Sequence, residues 1–152
     1  MPFPIALIVS GAAFLTGCLL INNKKKSVFI SYYSREDSHF KNLIIAWAKN
    51  EKFELNFEDV STDVAINSTD VSYMKRRMRE RIDKADYFLV FVGENTHDRE
   101  WVYWEIEQAK SLNKKIIAVK EKKSHKSPKS LLGCGAVWVN GFSEEGIRKA
   151  LK

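Results

Sequence analysis

Glycine-rich loops, cysteine pairs and histidine clusters are missing from this 152-residue chain, which holds seven Gly, three Pro, two Cys and three His. No Gly-x-Gly-x-x-Gly or Gly-x-x-x-x-Gly-Lys string follows its first strand-like run. Ser31-Tyr-Tyr-Ser-Arg-Glu-Asp37 stands there instead, which excludes a dinucleotide fingerprint and a P-loop. The same stretch lacks the Ser/Thr/Gly cradle that a flavin phosphate needs. Cys18 lies in an apolar run and Cys134 between two glycines. Neither has a spacing to the other, or to His39, His97 and His125, that indicates a disulfide or a zinc site. A reducing compartment is the simpler reading, and no metal or resident cofactor is expected.

Strong basicity is also missing once the charges are located. The formal net charge of +6 falls to +3 when Lys24, Lys25 and Lys26 are set aside, which is no footprint for nucleic acid. Basic residues concentrate over 75–81 and 120–126. These read as a solvated helix face and a solvated loop, or as contacts to anionic headgroups if the domain is held near a bilayer.

A long uncharged run is present. Residues 1–21 carry no charge and lead into Asn22-Asn-Lys-Lys-Lys26; the 17 residues after Pro4 would span roughly 25 Å as a helix, the short end of a bilayer crossing. No Lys or Arg precedes the run, three lysines follow it, and no small-x-small cleavage site closes it. The expectation is a single-pass membrane anchor over 1–22, a basic juxtamembrane linker over 23–26 and a cytoplasmic domain over 27–152. Leu15-Thr-Gly-Cys18 keeps a lipoprotein signal open as the alternative.

From residue 27 onward, period-2 or continuous apolar runs alternate with 3.6-period ones. Strands are predicted over 27–32, 53–57, 87–92, 115–119 and 136–139, and helices over 37–49, 70–85, 99–112 and 144–151. The first helix should bury Phe40, Leu43, Ile44 and Trp47, the second Val71, Met74, Met78 and Ile82, and the third Val102, Ile106 and Ala109. Residues 87–92 are apolar throughout and read as a central strand, whereas 53–57 alternates and reads as near an edge. Asp37 is read as a helix cap and Arg35 as a solvated loop residue. The order argues for an α/β domain with a parallel sheet of about five strands and helices on both faces. A receiver-type domain of similar order needs a phosphoacceptor Asp at the third strand's tip, where Gly93-Glu-Asn95 stands.

The most informative string is Trp101-Val-Tyr-Trp-Glu105, which follows that central strand after a polar connection. It puts a carboxylate near the strand ends, where open α/β sheets bind ligands. The bland alternative is a partly exposed glutamate beside packing tryptophans.

Val28-Phe-Ile-Ser-Tyr32 with Ser34-Arg-Glu-Asp37 resembles the first box of Toll/interleukin-receptor (TIR) domains. Phe91-Val-Gly-Glu-Asn95 with Trp101-Val-Tyr-Trp-Glu105 resembles the segment in which NAD-cleaving TIR domains carry a catalytic glutamate four residues after a tryptophan. The match is closest to the TIR-like proteins of the bacterial Thoeris anti-phage system. It implies a flavodoxin-like/TIR-like fold and an NAD+ glycohydrolase or cyclase with Glu105 catalytic. Trp101, Phe29, Ser31, Tyr32 and Tyr33 are then the substrate-binding candidates. NAD+ would be substrate rather than cofactor, self-association is expected, and an ADP-ribose-type product would signal to a separate effector. Residues 58–70 lack the Pro-Gly tip of receptor TIR domains, which argues against adaptor pairing of the animal type, and Gly93 stands where a Ser or Thr is common. The competing class is a catalytically silent TIR-like module that assembles at the membrane.

Overall fold

The structure, a computed structural model, describes residues 26–33, 36–49, 55–56 and 69–152. The expected anchor and nearly all of the expected linker lie outside these residues. Lys26, read as linker, opens the first strand, β1 (Lys26–Ser31). Its ammonium donates to the Tyr87 hydroxyl at 3.0 Å, which ties the strand's first residue to its neighbour. Among the described residues no helix is long and apolar enough to cross a membrane.

The sheet is organised around β3 (Tyr87–Val92), whose six residues are all buried. An unbroken apolar run suits a strand covered on both faces, and β3 lies between β1 and β4 (Lys115–Lys120), parallel to both. β5 (Val137–Asn140) pairs with β4 and forms an edge, with Val137 and Trp138 partly exposed. These four strands make one continuous parallel sheet. The two-residue β2 (Leu55–Asn56) joins the far side of β1 through Lys26↔Leu55 and Ser27↔Asn56. The expected second strand thus appears at an edge as predicted, but over only two of the described residues.

Helices α1 (Ser38–Ala48), α2 (Val71–Lys84), α3 (Glu100–Ser111) and α4 (Glu144–Ala150) cover the sheet. Which face each takes follows from the period of two along β3. Phe91 stacks on Phe40 of α1, and Phe142, just before α4, meets both rings. Phe88, of opposite parity, stacks on Phe29 of β1, and Ser31, two residues on from Phe29, meets Glu105 of α3. So α1 lies on one face and α3 on the other. α2 packs beside α3, with Arg79 donating to Gln108 and, at 3.0 Å, to Ser111.

Two expected core positions are corrected. Leu43 is 42% exposed and Val71 55% exposed, because among the described residues no side chain covers that flank of α1 or the first turn of α2; Met78 and Ile82 are buried as expected, and Met74 is half-buried. The third helix buries Val102, Ile106 and Ala109, as its periodicity required.

The strand order 2-1-3-4-5 reverses direction at β1. Connections leave β1 toward β2 on one side and return to β3 on the other, opening a crevice between the C-terminal ends of β1 and β3. Ser31 ends β1 beside that crevice, with Tyr32 and Tyr33 directly after it, and Glu105 meets Ser31 there.

Candidate active site

β1 ends on Ser31, whose side chain has alternated onto the α3 face. Its hydroxyl donates to Glu105 Oε2 at 2.5 Å, joining the strand end to the middle of the helix. Glu105 is 1% exposed, and its Oε1 has no hydrogen-bond partner. Burial pushes the Glu105 carboxyl up to about 8, while Ser31 and the neighbouring Trp101 indole pull it part of the way back. At neutral pH the resting carboxyl is therefore mainly protonated, in a place where burying its charge is unfavourable.

Trp101 lies one helical turn before Glu105 and packs half-buried against the core, its ring 5.5 Å from that of Trp104. Lys75 of α2 sits over the Trp104 ring at 5.6 Å, so Trp104 faces the neighbouring helix. Tyr32 follows Ser31 and takes the opposite face, 5.8 Å from the buried Lys41 ammonium of α1, whose pKa burial lowers. Tyr33 is half-buried in the turn, and the Arg99 guanidinium lies 3.9 Å from its ring centroid. Phe29 is 1% exposed and stacked on Phe88 at 5.5 Å, on the same face of β1 as Ser31. The structure brings Ser31, Trp101 and Glu105 together on one face, with Tyr33 two residues beyond Ser31 under the Arg99 guanidinium.

A second cluster borders the crevice. Asp37 occupies the N-cap position of α1 but makes no side-chain cap bond. Its carboxylate is 5% exposed and instead accepts from Thr96 Oγ1 at 3.3 Å, while Thr96 Oγ1 accepts from the Gly93 N–H at 2.9 Å. Desolvation raises the Asp37 pKa, against a lowering by Thr96. The cap expected for Asp37 is thus corrected: the buried Thr96 hydroxyl competes for its oxygens. Gly93 is what makes this possible, since a Cβ there would lie 2.5 Å from Asp37 Oδ1 and 2.7 Å from Oδ2. Alongside, Asn95 Nδ2 donates to Glu36 Oε2 at 3.0 Å. The turn after β1 and the turn after β3 are laced together at three points: Asp37–Thr96, Glu36–Asn95 and Tyr33–Arg99.

Sequence reasoning did not single out Thr96, Asn95 or Arg99. Their partners lie about 60 residues away, and only the general expectation that ligands bind at strand ends pointed to their loop. Arg35, read as solvated, lies outside the described residues. Among the described residues, no group of three His, Cys, Asp or Glu side chains is arranged to hold a metal ion.

Residues 29–126 match the family described as Thoeris protein ThsB, TIR-like domain, well over half of the 152-residue chain. The chain belongs to this family. The matched stretch contains the C-terminal half of β1 and all of β3 and α3, and so the crevice at the ends of β1 and β3. No curated protein matches the chain. Among solved structures it is similar to the CMP N-glycosidase BcmB of Clostridium botulinum, at 18% identity and a TM-score of 0.57, over 83% of this chain and 97% of that one. It is also similar to a conserved protein from Enterococcus faecalis V583, at 11% identity and a TM-score of 0.56, over 83% and 96%. At such identities these likenesses establish the fold shared with this TIR-like domain.

Proposed function

We propose that this TIR-like domain cleaves the N-glycosidic bond of NAD+, with Glu105 as the catalytic carboxylate. The observation that carries the reading is Glu105 itself: a buried carboxyl at the crevice, held by Ser31 through one oxygen and unpartnered at the other. The family supports it, as does the fold shared with the CMP N-glycosidase BcmB.

Nicotinamide leaves NAD+ as a neutral molecule, taking the electron pair of the C1′–N bond onto its ring nitrogen, so no general acid is needed. The ribose left behind develops oxocarbenium character, which an adjacent anion stabilises. Glu105 serves when ionised, and the positive charge of the substrate's pyridinium favours that form. Ser31 fixes one oxygen and leaves Oε1 for the ribose. Trp101 lines the same wall, and Tyr32 and Tyr33 bound the strand end. Water, or a hydroxyl of the ADP-ribose itself, then takes the anomeric carbon, giving a linear or a cyclised product that serves as an anti-phage signal to a separate effector. Residues 1–22 tether the domain to the cytoplasmic side of a membrane.

The test is nicotinamide release from NAD+ by the purified full-length chain. Glu105→Ala and Glu105→Gln should lower it by about two to three orders of magnitude. Equal turnover in wild type and variants would sink the assignment.

A further inference from the structure

Arg99 is poorly explained as a helix-stabilising residue. It occupies the N-cap position of α3, makes no side-chain cap bond there, and places a cation at the positive end of the helix dipole. Nor, among the described residues, is it half of an ion pair. Three acids of the two turns are engaged elsewhere, Glu36 with Asn95, Asp37 with Thr96, and Asp98 with His97 at 3.1 Å, and Glu94 is exposed. Glu100 makes no bridge to it. Its Nε is buried without a partner, and its guanidinium lies over Tyr33, two residues beyond the serine that holds Glu105.

A guanidinium resting on an aromatic ring is oriented while the N–H groups at its edge remain available, and that planar fork matches phosphate oxygens. Arg99 lies six residues before Glu105, roughly 9 Å along the helix at about 1.5 Å per residue. A 5′-phosphate is several bonds from the anomeric carbon of its ribose, so the group that recognises it stands apart from the carboxylate at that carbon.

We propose that Arg99, braced by Tyr33, is the phosphate-recognising subsite of the crevice, so that the pocket selects 5′-phosphorylated ribosides, mononucleotide or dinucleotide, over bare nucleosides. This rests on the glycosidase reading for what sits at Glu105, but it is tested without turnover. The probe is ADP-ribose, titrated calorimetrically into the full-length chain and its Arg99→Met and Arg99→Lys variants, with thermal melts to confirm that each is folded. Arg99→Met should weaken binding by about tenfold or more, the loss of a charge-assisted hydrogen bond. Arg99→Lys, which keeps the charge but not the fork, should recover part of the loss. Equal affinity in wild type and Arg99→Met, or no binding of ADP-ribose by wild type, overturns the subsite. Turnover separates the two claims. Wild type that binds ADP-ribose through Arg99 yet leaves NAD+ intact fails the glycosidase reading alone. Cleavage of NAD+ with KM unchanged in Arg99→Met fails the subsite alone.

Discussion

Glu105 carries a conflict between stability and charge that can be measured. Its carboxyl is raised from 4.5 to about 8 by burial, so the folded state holds its proton more tightly than the unfolded chain does. The resulting stabilisation is complete below about pH 4.5 and is lost as pH climbs through about 8. Glu105→Gln, which cannot ionise, should therefore melt close to wild type at pH 5 and clearly above it at pH 9; a pH-independent gap would contradict the shift. If the ionised form acts in the proposed reaction, kcat/KM of the wild type rises with pH and levels off above about 8, for the same reason with opposite benefit. Gly93 offers a second test. Gly93→Ala puts a methyl 2.5 Å from an Asp37 oxygen and should cost about 1–3 kcal/mol in denaturant unfolding. In a chain that also carries Asp37→Ser the cost should shrink, and strict additivity would show that the two residues do not contend for the same space. The place of Glu105 beside the end of β1 was legible because its string follows β3 and resembles the corresponding segment of TIR domains. Asp37 was not, because its choice between capping α1 and bonding Thr96 depends on a hydroxyl 59 residues away.

At the scale of elements, periodicity identified strands and helices well and their surroundings less well. The unbroken run of β3 required cover on both faces and has it, and the buried stripe of α3 holds Val102, Ile106 and Ala109 as expected. Leu43 and Val71 show the limit of the method. A stripe tells which side of a helix faces inward, not how much of that side other side chains cover. Helix ends make a useful contrast. Asp70 caps α2 by accepting from Ser72 and Tyr73 N–H groups at 2.9 and 3.2 Å, whereas α3 begins on an arginine. Asp70→Ala should lower stability by about 1 kcal/mol and leave the KM of the proposed reaction unchanged. A change in KM would mean that α2 shapes the crevice as well as packing beside α3.

For the molecule as a whole, alternation of strands and helices was enough to predict a parallel α/β sheet, and the order 2-1-3-4-5 places the crevice where a switch of direction requires it. What alternation could not supply was the pairing of distant residues within that crevice. The proposed anchor is tested by fractionation: the full-length chain should sediment with membranes and come off with detergent but not with high salt. Release by salt alone would leave only its lysines as the attachment. One further consequence concerns biosynthesis. Ser31 and Glu105 are separated by 74 positions, and the helix that brings the second to the first is set in place by strands on either side of it in the chain. A polypeptide still leaving the ribosome has its serine long before it has the glutamate, and the glutamate before β4 has docked. If Glu105 is the catalytic carboxylate, products stalled before α3 lack it altogether, and the proposed reaction waits until the chain beyond Glu105 has been made.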